Sequence, residues 1–141
     1  MELTFKRIDN LLKDYKAAQE ALSEVLTYRK DDLIRDATVT RFTFTFELAW
    51  KLMKALNKFM GSECYSPKEC IRLAAQNGLL DNPGDWFKYH EHRNVTTHTY
   101  DLEKAEQLYR NAPAFERAAE HFLKKATEKT KQLKEVSEIK T

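Results

Sequence analysis

Three glycines and three prolines in 141 residues leave this chain few places to reverse direction. That scarcity constrains the fold more than any other feature. A fold of many short strands draws on Gly and Pro for the backbone angles of its turns, whereas long helices do not. The apolar pattern agrees. Phe5, Ile8, Leu12, Tyr15, Leu22 and Leu26 recur at three- and four-residue steps, which predicts a first helix over roughly residues 2–29. Phe42, Phe46, Trp50 and Met53 carry a second, from about Asp32 to Met60, closed by Gly61. Ser66-Pro67-Lys68-Glu69 joins capping-box spacing to a proline at the first helical position and opens a third, which Gly78 ends. Asn82-Pro83-Gly84-Asp85 starts a fourth carrying Trp86, Phe87 and Tyr89, and Asp101 caps a fifth. Pro113 is expected to kink or divide the fifth helix, and the Lys- and Glu-rich tail from Lys124 onward is expected to fray. The expectation is an all-α bundle of four to five helices, one domain over 1–141.

The second helix has a further property. Phe44, Leu48, Leu52 and Phe59 also keep helical spacing, and residues 42 and 44 lie about 200° apart on a helix. One apolar face fills a core; the other needs a further helix or a second subunit. Dimerisation is the preferred reading.

Composition excludes some functions. With 24 basic and 22 acidic residues, net charge +2, there is no global field for nucleic acid, so any RNA interaction must rest on a local site. Cys64 and Cys70 are expected as free thiols in a reducing cytosol. No signal-peptide run precedes the first helix, and nothing approaches the ~20 apolar residues of a membrane span. The expected location is cytoplasmic, without a membrane partner.

The chemistry narrows by elimination. No Walker loop, dinucleotide-binding glycine fingerprint or Gly-x-Ser-x-Gly elbow occurs. His90-Glu91-His92 sets its two imidazoles about 200° apart on a helix, whereas a zinc-binding helix needs them at i and i+4. No metal and no cofactor are expected. What remains is Arg93-Asn94-Val95-Thr96-Thr97-His98-Thr99-Tyr100. An arginine can hold a phosphate and stabilise charge developing on it, a histidine can move protons near neutrality, and Asn94 can orient a phosphate or the imidazole. On an ideal helix Arg93 and His98 sit about 140° apart, too far round to share a face. Either the β-branched run loosens the helix, or a symmetric dimer brings two copies of the segment together. The two-faced second helix favours the dimer. Glu47, set among Phe46, Leu48 and Trp50, is a secondary candidate that either orients Arg93 or His98 or, more simply, pairs with Lys51 one turn on. Trp86, Tyr89 and His90 precede Arg93 and either line the same groove or, the preferred reading for the aromatics, belong to core or interface.

Arg93-Asn94-x-x-x-His98-x-Tyr100 resembles the Arg-x(4–6)-His motif of the HEPN superfamily. Together with Arg41-Phe42-x-Phe44-x-Phe46-Glu47-Leu48-Ala49-Trp50-Lys51 and Ser66-Pro67-Lys68-Glu69-Cys70-Ile71-Arg72, it is similar to the nucleotidyltransferase substrate-binding protein family, the HepT-like branch. The resemblance covers nearly the whole chain. It implies an up-and-down antiparallel bundle, a homodimer, and a separately encoded small nucleotidyltransferase of the MntA type as partner. In the toxin–antitoxin members it implies a metal-independent ribonuclease toxin with Arg93, His98 and Asn94 at its site. It also implies neutralisation by transfer of AMP to the residue matching Tyr100. The family's older naming implies instead a non-catalytic substrate-binding subunit of a two-component nucleotidyltransferase.

Overall fold

A computed structural model describes residues 5–96 and 101–140. Five helices are present among them, and no strand: α1 (Phe5–Val25), α2 (Asp32–Phe59), α3 (Pro67–Gln76), α4 (Pro83–Thr96) and α5 (Leu102–Lys140). The chain is an all-α, up-and-down helical bundle. Cross-helix pairs set the directions. Phe5 packs on Phe59 and Arg41 reaches the Ala21 carbonyl and Glu24, so α1 and α2 are antiparallel. Lys134 pairs with Asp9 and Gln19 with Glu116, so α5 also opposes α1. The short α3–α4 hairpin closes the remaining side against α2 and α5.

Ser66, Asp101, Gly61 and Gly78 close helices as expected, and Asp31 adds a cap to α2. Asp31 accepts the Ile34 N–H at 2.8 Å, and Ser66 accepts that of Glu69 at 3.2 Å. Asp101 accepts from Glu103 at 3.0 Å and Lys104 at 3.4 Å. Gly61 (φ +90°) and Gly78 (φ +80°) take the left-handed conformation just past α2 and α3, where a Cβ would strain the backbone.

Of the two outcomes expected at Pro113, a kink or a division, the second does not occur: α5 runs unbroken through it. The proline is exposed, while Ala112 and Phe115 beside it are fully buried. Core packing on one face holds the helix across a single missing N–H. The tail from Lys124, expected to fray, continues α5 as helix, with Ala126 and Thr130 buried and the Thr130 hydroxyl bonding the Ala126 carbonyl. Finally, Cys64 and Cys70 are not free thiols but a disulfide, with Cα atoms 5.2 Å apart. Cys64 lies in the loop after α2, Cys70 in the first turn of α3, and both are buried, so the turn that starts α3 brings the sulfurs together. The bond closes a loop of separation six. Reduction of a loop that short is expected to lower stability by about 2 kcal/mol. Urea unfolding with and without dithiothreitol measures it.

The core is aromatic where α2, α4 and α5 meet. Phe115 lies 4.2 Å from Phe42, 5.0 Å from Tyr89 and 5.6 Å from Trp86, ring centre to ring centre. Trp86 and Tyr89 are therefore core residues, not groove lining. On the second face of α2 the outcome is divided. Leu52 is fully buried and Phe59 packs on Phe5, so α1 covers that end. Phe44 stays 61% exposed and Leu33 78% exposed. Among the described residues, no helix is long and apolar enough to cross a membrane.

Candidate functional site

Arg93 sits in the last turn of α4, one turn beyond the aromatic core. Its position follows from the face that Trp86, Tyr89 and His90 turn towards α2. Trp86 and His90 both pack against Phe46, which brings the next residue of α2, Glu47, within reach of α4. Arg93 Nη1 pairs with Glu47 Oε1 at 2.7 Å, and the guanidinium carbon lies 5.4 Å from the centre of the Phe46 ring. The other carboxylate oxygen accepts the Trp50 indole N–H at 3.1 Å. Glu47 is thus held at both oxygens, and it holds Arg93 in turn. Of its two expected partners, Arg93 across the helix interface is the one it meets; Lys51 is exposed and makes no ion pair among those of the described residues.

The pair is partly shielded, with side-chain exposures of 17% for Arg93 and 31% for Glu47. Shielding strengthens a charged contact relative to open surface. A guanidinium carries its five N–H donors in a rigid fork, so a carboxylate at one nitrogen orients the whole group.

Asn94 is adjacent. Its Nδ2 lies 3.2 Å from Nε2 of His90, whose ring stacks on Phe46 at 5.6 Å and 17°. Phe46 is therefore a shared platform for His90 and Arg93. The sequence marks it as core only, because its spacing with Phe42 and Trp50 is that of a buried stripe. The one hint is the carboxylate directly after it. His98 and Tyr100, the other two residues of the segment, lie outside the described residues.

Burial lowers the His90 pKa from its ordinary value, and nearby Arg93 and Lys68 lower it further against the opposing effect of Glu91 and Glu47. Burial also lowers that of His92, with Glu91 opposing. Both rings are therefore neutral at pH 7. The unfolded chain binds their protons more readily than the folded one, so the stability they carry is present above about pH 6.5 and is lost as pH falls towards their folded values. A His90→Gln/His92→Gln protein is expected to lose less stability than the wild type between pH 7.5 and pH 5. Equal losses in urea unfolding contradict this.

Comparison with known proteins adds the family. Residues 6–134 match the sequence family described as nucleotidyltransferase substrate binding protein like. A protein of Haemophilus influenzae named probable ribonuclease HepT is 38% identical over 87 residues, covering 57% of this chain. The chain spans 58% of that relative's length. A crystal structure of a Thermus thermophilus protein superposes with a TM-score of 0.74 at 32% identity, over 79% of this chain and 98% of that one. A solved structure from Haemophilus influenzae is described as revealing the fold of a substrate binding domain of a nucleotidyltransferase. It shares that fold at a TM-score of 0.62 and 24% identity, over 88% of this chain and 99% of that one. The match runs through all five helices: this chain belongs to the nucleotidyltransferase substrate binding protein like family.

Proposed function

We propose that the chain is a metal-independent endoribonuclease, the toxin of a two-gene module whose other member is a small nucleotidyltransferase of the MntA type. The observation that carries this reading is the oriented guanidinium of Arg93, fixed by Glu47 and Phe46 at the end of α4, five positions before His98. The name of the Haemophilus influenzae relative supports the same class of reaction. In this reading His98 accepts the proton of an RNA 2′-hydroxyl. The 2′-oxygen then attacks the adjacent phosphorus, the P–O5′ bond breaks, and the 5′-oxygen takes a proton from water, while His98 later returns its own to solvent. Arg93 stabilises the charge on the phosphoryl oxygens. A homodimer built on the uncovered part of α2, with Phe44 and Leu33, completes the site in this account.

Tyr100 is the proposed off-switch. Its hydroxyl attacks the α-phosphorus of ATP on the nucleotidyltransferase, pyrophosphate leaves, and the attached AMP sets a negative, bulky group beside Arg93 and His98. Expression alone is expected to arrest growth, and co-expression with the nucleotidyltransferase to relieve the arrest and place AMP on Tyr100 in the mass spectrum. Growth that proceeds normally without the partner contradicts the toxin reading. It favours the second one, a non-catalytic subunit that presents substrate to the nucleotidyltransferase. The family's own description supports that second reading, as does the small net charge of +2.

Glu47 is the positioning residue of the site. Glu47→Ala leaves Arg93 its stack on Phe46 but not its anchor, and is expected to lower kcat for RNA cleavage about tenfold. Unchanged kcat in single-turnover cleavage contradicts that role.

A further inference from the structure

Lys68 stands where a helix gains nothing from a cation. It is the second residue of α3, in the first turn, where the helix dipole favours negative charge. Ser66 already caps that end, and Glu69 supplies the acid and accepts the Tyr65 N–H at 2.7 Å. Lys68 is exposed and makes no ion pair among those of the described residues. Its ammonium lies over the ring of Phe87, 5.9 Å from the centre. Lys30 and Lys134 also lie over aromatic rings, but each of them holds a carboxylate as well.

The place of this pair relative to the site gives its charge a use. Phe87 is partly exposed and lies on α4 six residues before Arg93, about 9 Å along the axis. His90 falls between them, about 60° round the helix from each. Lys68 and Arg93 both disfavour protonation of His90, so two cations flank one ring. Glu47 and Glu91 act on that ring in the opposite sense, and Glu47 is held by Arg93 and Trp50. We infer that Lys68 and Phe87 form a second RNA subsite beside Arg93: the Lys68 ammonium holds a phosphate flanking the cleaved bond, and the Phe87 ring stacks a base. The lysine stem is flexible, so on binding the ammonium moves to the phosphate and the base takes its place over the ring. The inference rests on the ribonuclease reading and extends it to the strand outside the reacting phosphate. Single-stranded RNA suits the pair because every base offers a face to an aromatic ring and every nucleotide a phosphate to a cation. The subsite is local, as a chain of net charge +2 requires. Neither group meets the reacting atoms, so both act on binding and not on the chemical step.

The probe is a short 2′-O-methyl oligouridylate, which lacks the hydroxyl that cleavage needs, so binding is read apart from activity. Its affinity for the full chain is measured by fluorescence anisotropy over a range of salt concentrations. Lys68→Ala is expected to weaken binding about fivefold near 0.1 M salt, and to make the slope of log affinity against log salt shallower by about 0.7. Phe87→Leu keeps the apolar bulk without the aromatic face, and is expected to weaken binding about tenfold with the slope unchanged. Lys88 is exposed and lies about 200° round α4 from His90; Lys88→Ala is expected to change neither quantity. Circular dichroism identifies a variant that fails to fold, and the Lys68 arm decides if Phe87→Leu is one. Unchanged affinity and slope in Lys68→Ala overturn the inference. So does an equal loss in Lys88→Ala, or a wild type that does not bind the probe. A Lys68→Ala protein that binds RNA normally but loses the nucleotidyltransferase marks a protein contact, and overturns it too. Cleavage in EDTA is scored separately. Lys68-dependent binding without cleavage rejects the ribonuclease reading and leaves the subsite standing. Cleavage with a wild-type KM in Lys68→Ala rejects the subsite and leaves the reading.

Discussion

Arg93→Ala is expected to lower the rate of RNA cleavage by about a hundred- to a thousandfold while the protein remains folded. The side chain is largely shielded, but it packs on Phe46 outside the Phe115 cluster, so truncation costs one contact and leaves that cluster whole. What is lost is a charged, planar donor group preset against Glu47 and Phe46. Charge developing on phosphoryl oxygens is best stabilised by donors already in place, because no reorganisation is then needed at the moment of reaction. Arg93→Lys is expected to recover little. It keeps the charge but lacks the fork that meets a carboxylate and a phosphate together, and it stacks less well on an aromatic face. Single-turnover cleavage with a short RNA, alongside thermal melting, measures both. Near-wild-type cleavage in Arg93→Ala removes the residue from the chemistry.

Phe115→Ala is expected to be the most destabilising single change, by about 3–5 kcal/mol. The ring is fully buried and touches aromatic rings from two other helices, with Phe42 and Phe46 on α2 and Trp86 and Tyr89 on α4. Truncation removes the shared contact and leaves a cavity that three rigid helices cannot collapse to fill. For a domain of ordinary stability, about 5–15 kcal/mol, the loss is a large fraction of the total. It also reaches the site, since α4 is held against α2 by the same cluster. The melting temperature is expected to fall by about 10 °C. A fall of only a degree or two contradicts the central place of this ring.

Much of the fold is legible in the sequence because helix signals are local. Asp31, Ser66 and Asp101 act as caps on their own neighbours, and Gly61 and Gly78 end helices by their own backbone angles. Sequence reading fails where distant packing decides. Pro113 reads as a kink or a division, and the buried Ala112 and Phe115 beside it carry the helix through undivided. Leu12 reads as core on α1, yet Leu11 is buried more deeply and Gln19 takes a core position by bonding Glu116. Neither swap has a local cause. The disulfide likewise depends on how the turn after Ser66 sets Cys70 beside Cys64, which spacing alone does not dictate.

The site divides in the same way. Residue chemistry together with the family resemblance points to Arg93, Asn94 and His98, and the structure adds what packs against the first two. Glu47 is a candidate with two partners in the sequence, and only packing across α2 and α4 chooses Arg93. Phe46 reads like any other core aromatic. Its second role, as the surface under both Arg93 and His90, exists only once the two helices are side by side.

The most direct test of the central claim is cleavage of single-stranded RNA by the purified full chain in EDTA, compared with His98→Ala. The expected result is cleavage that needs no metal, yields 2′,3′-cyclic phosphate ends and disappears in His98→Ala. Absence of cleavage by the wild type, or cleavage that persists in His98→Ala, contradicts it.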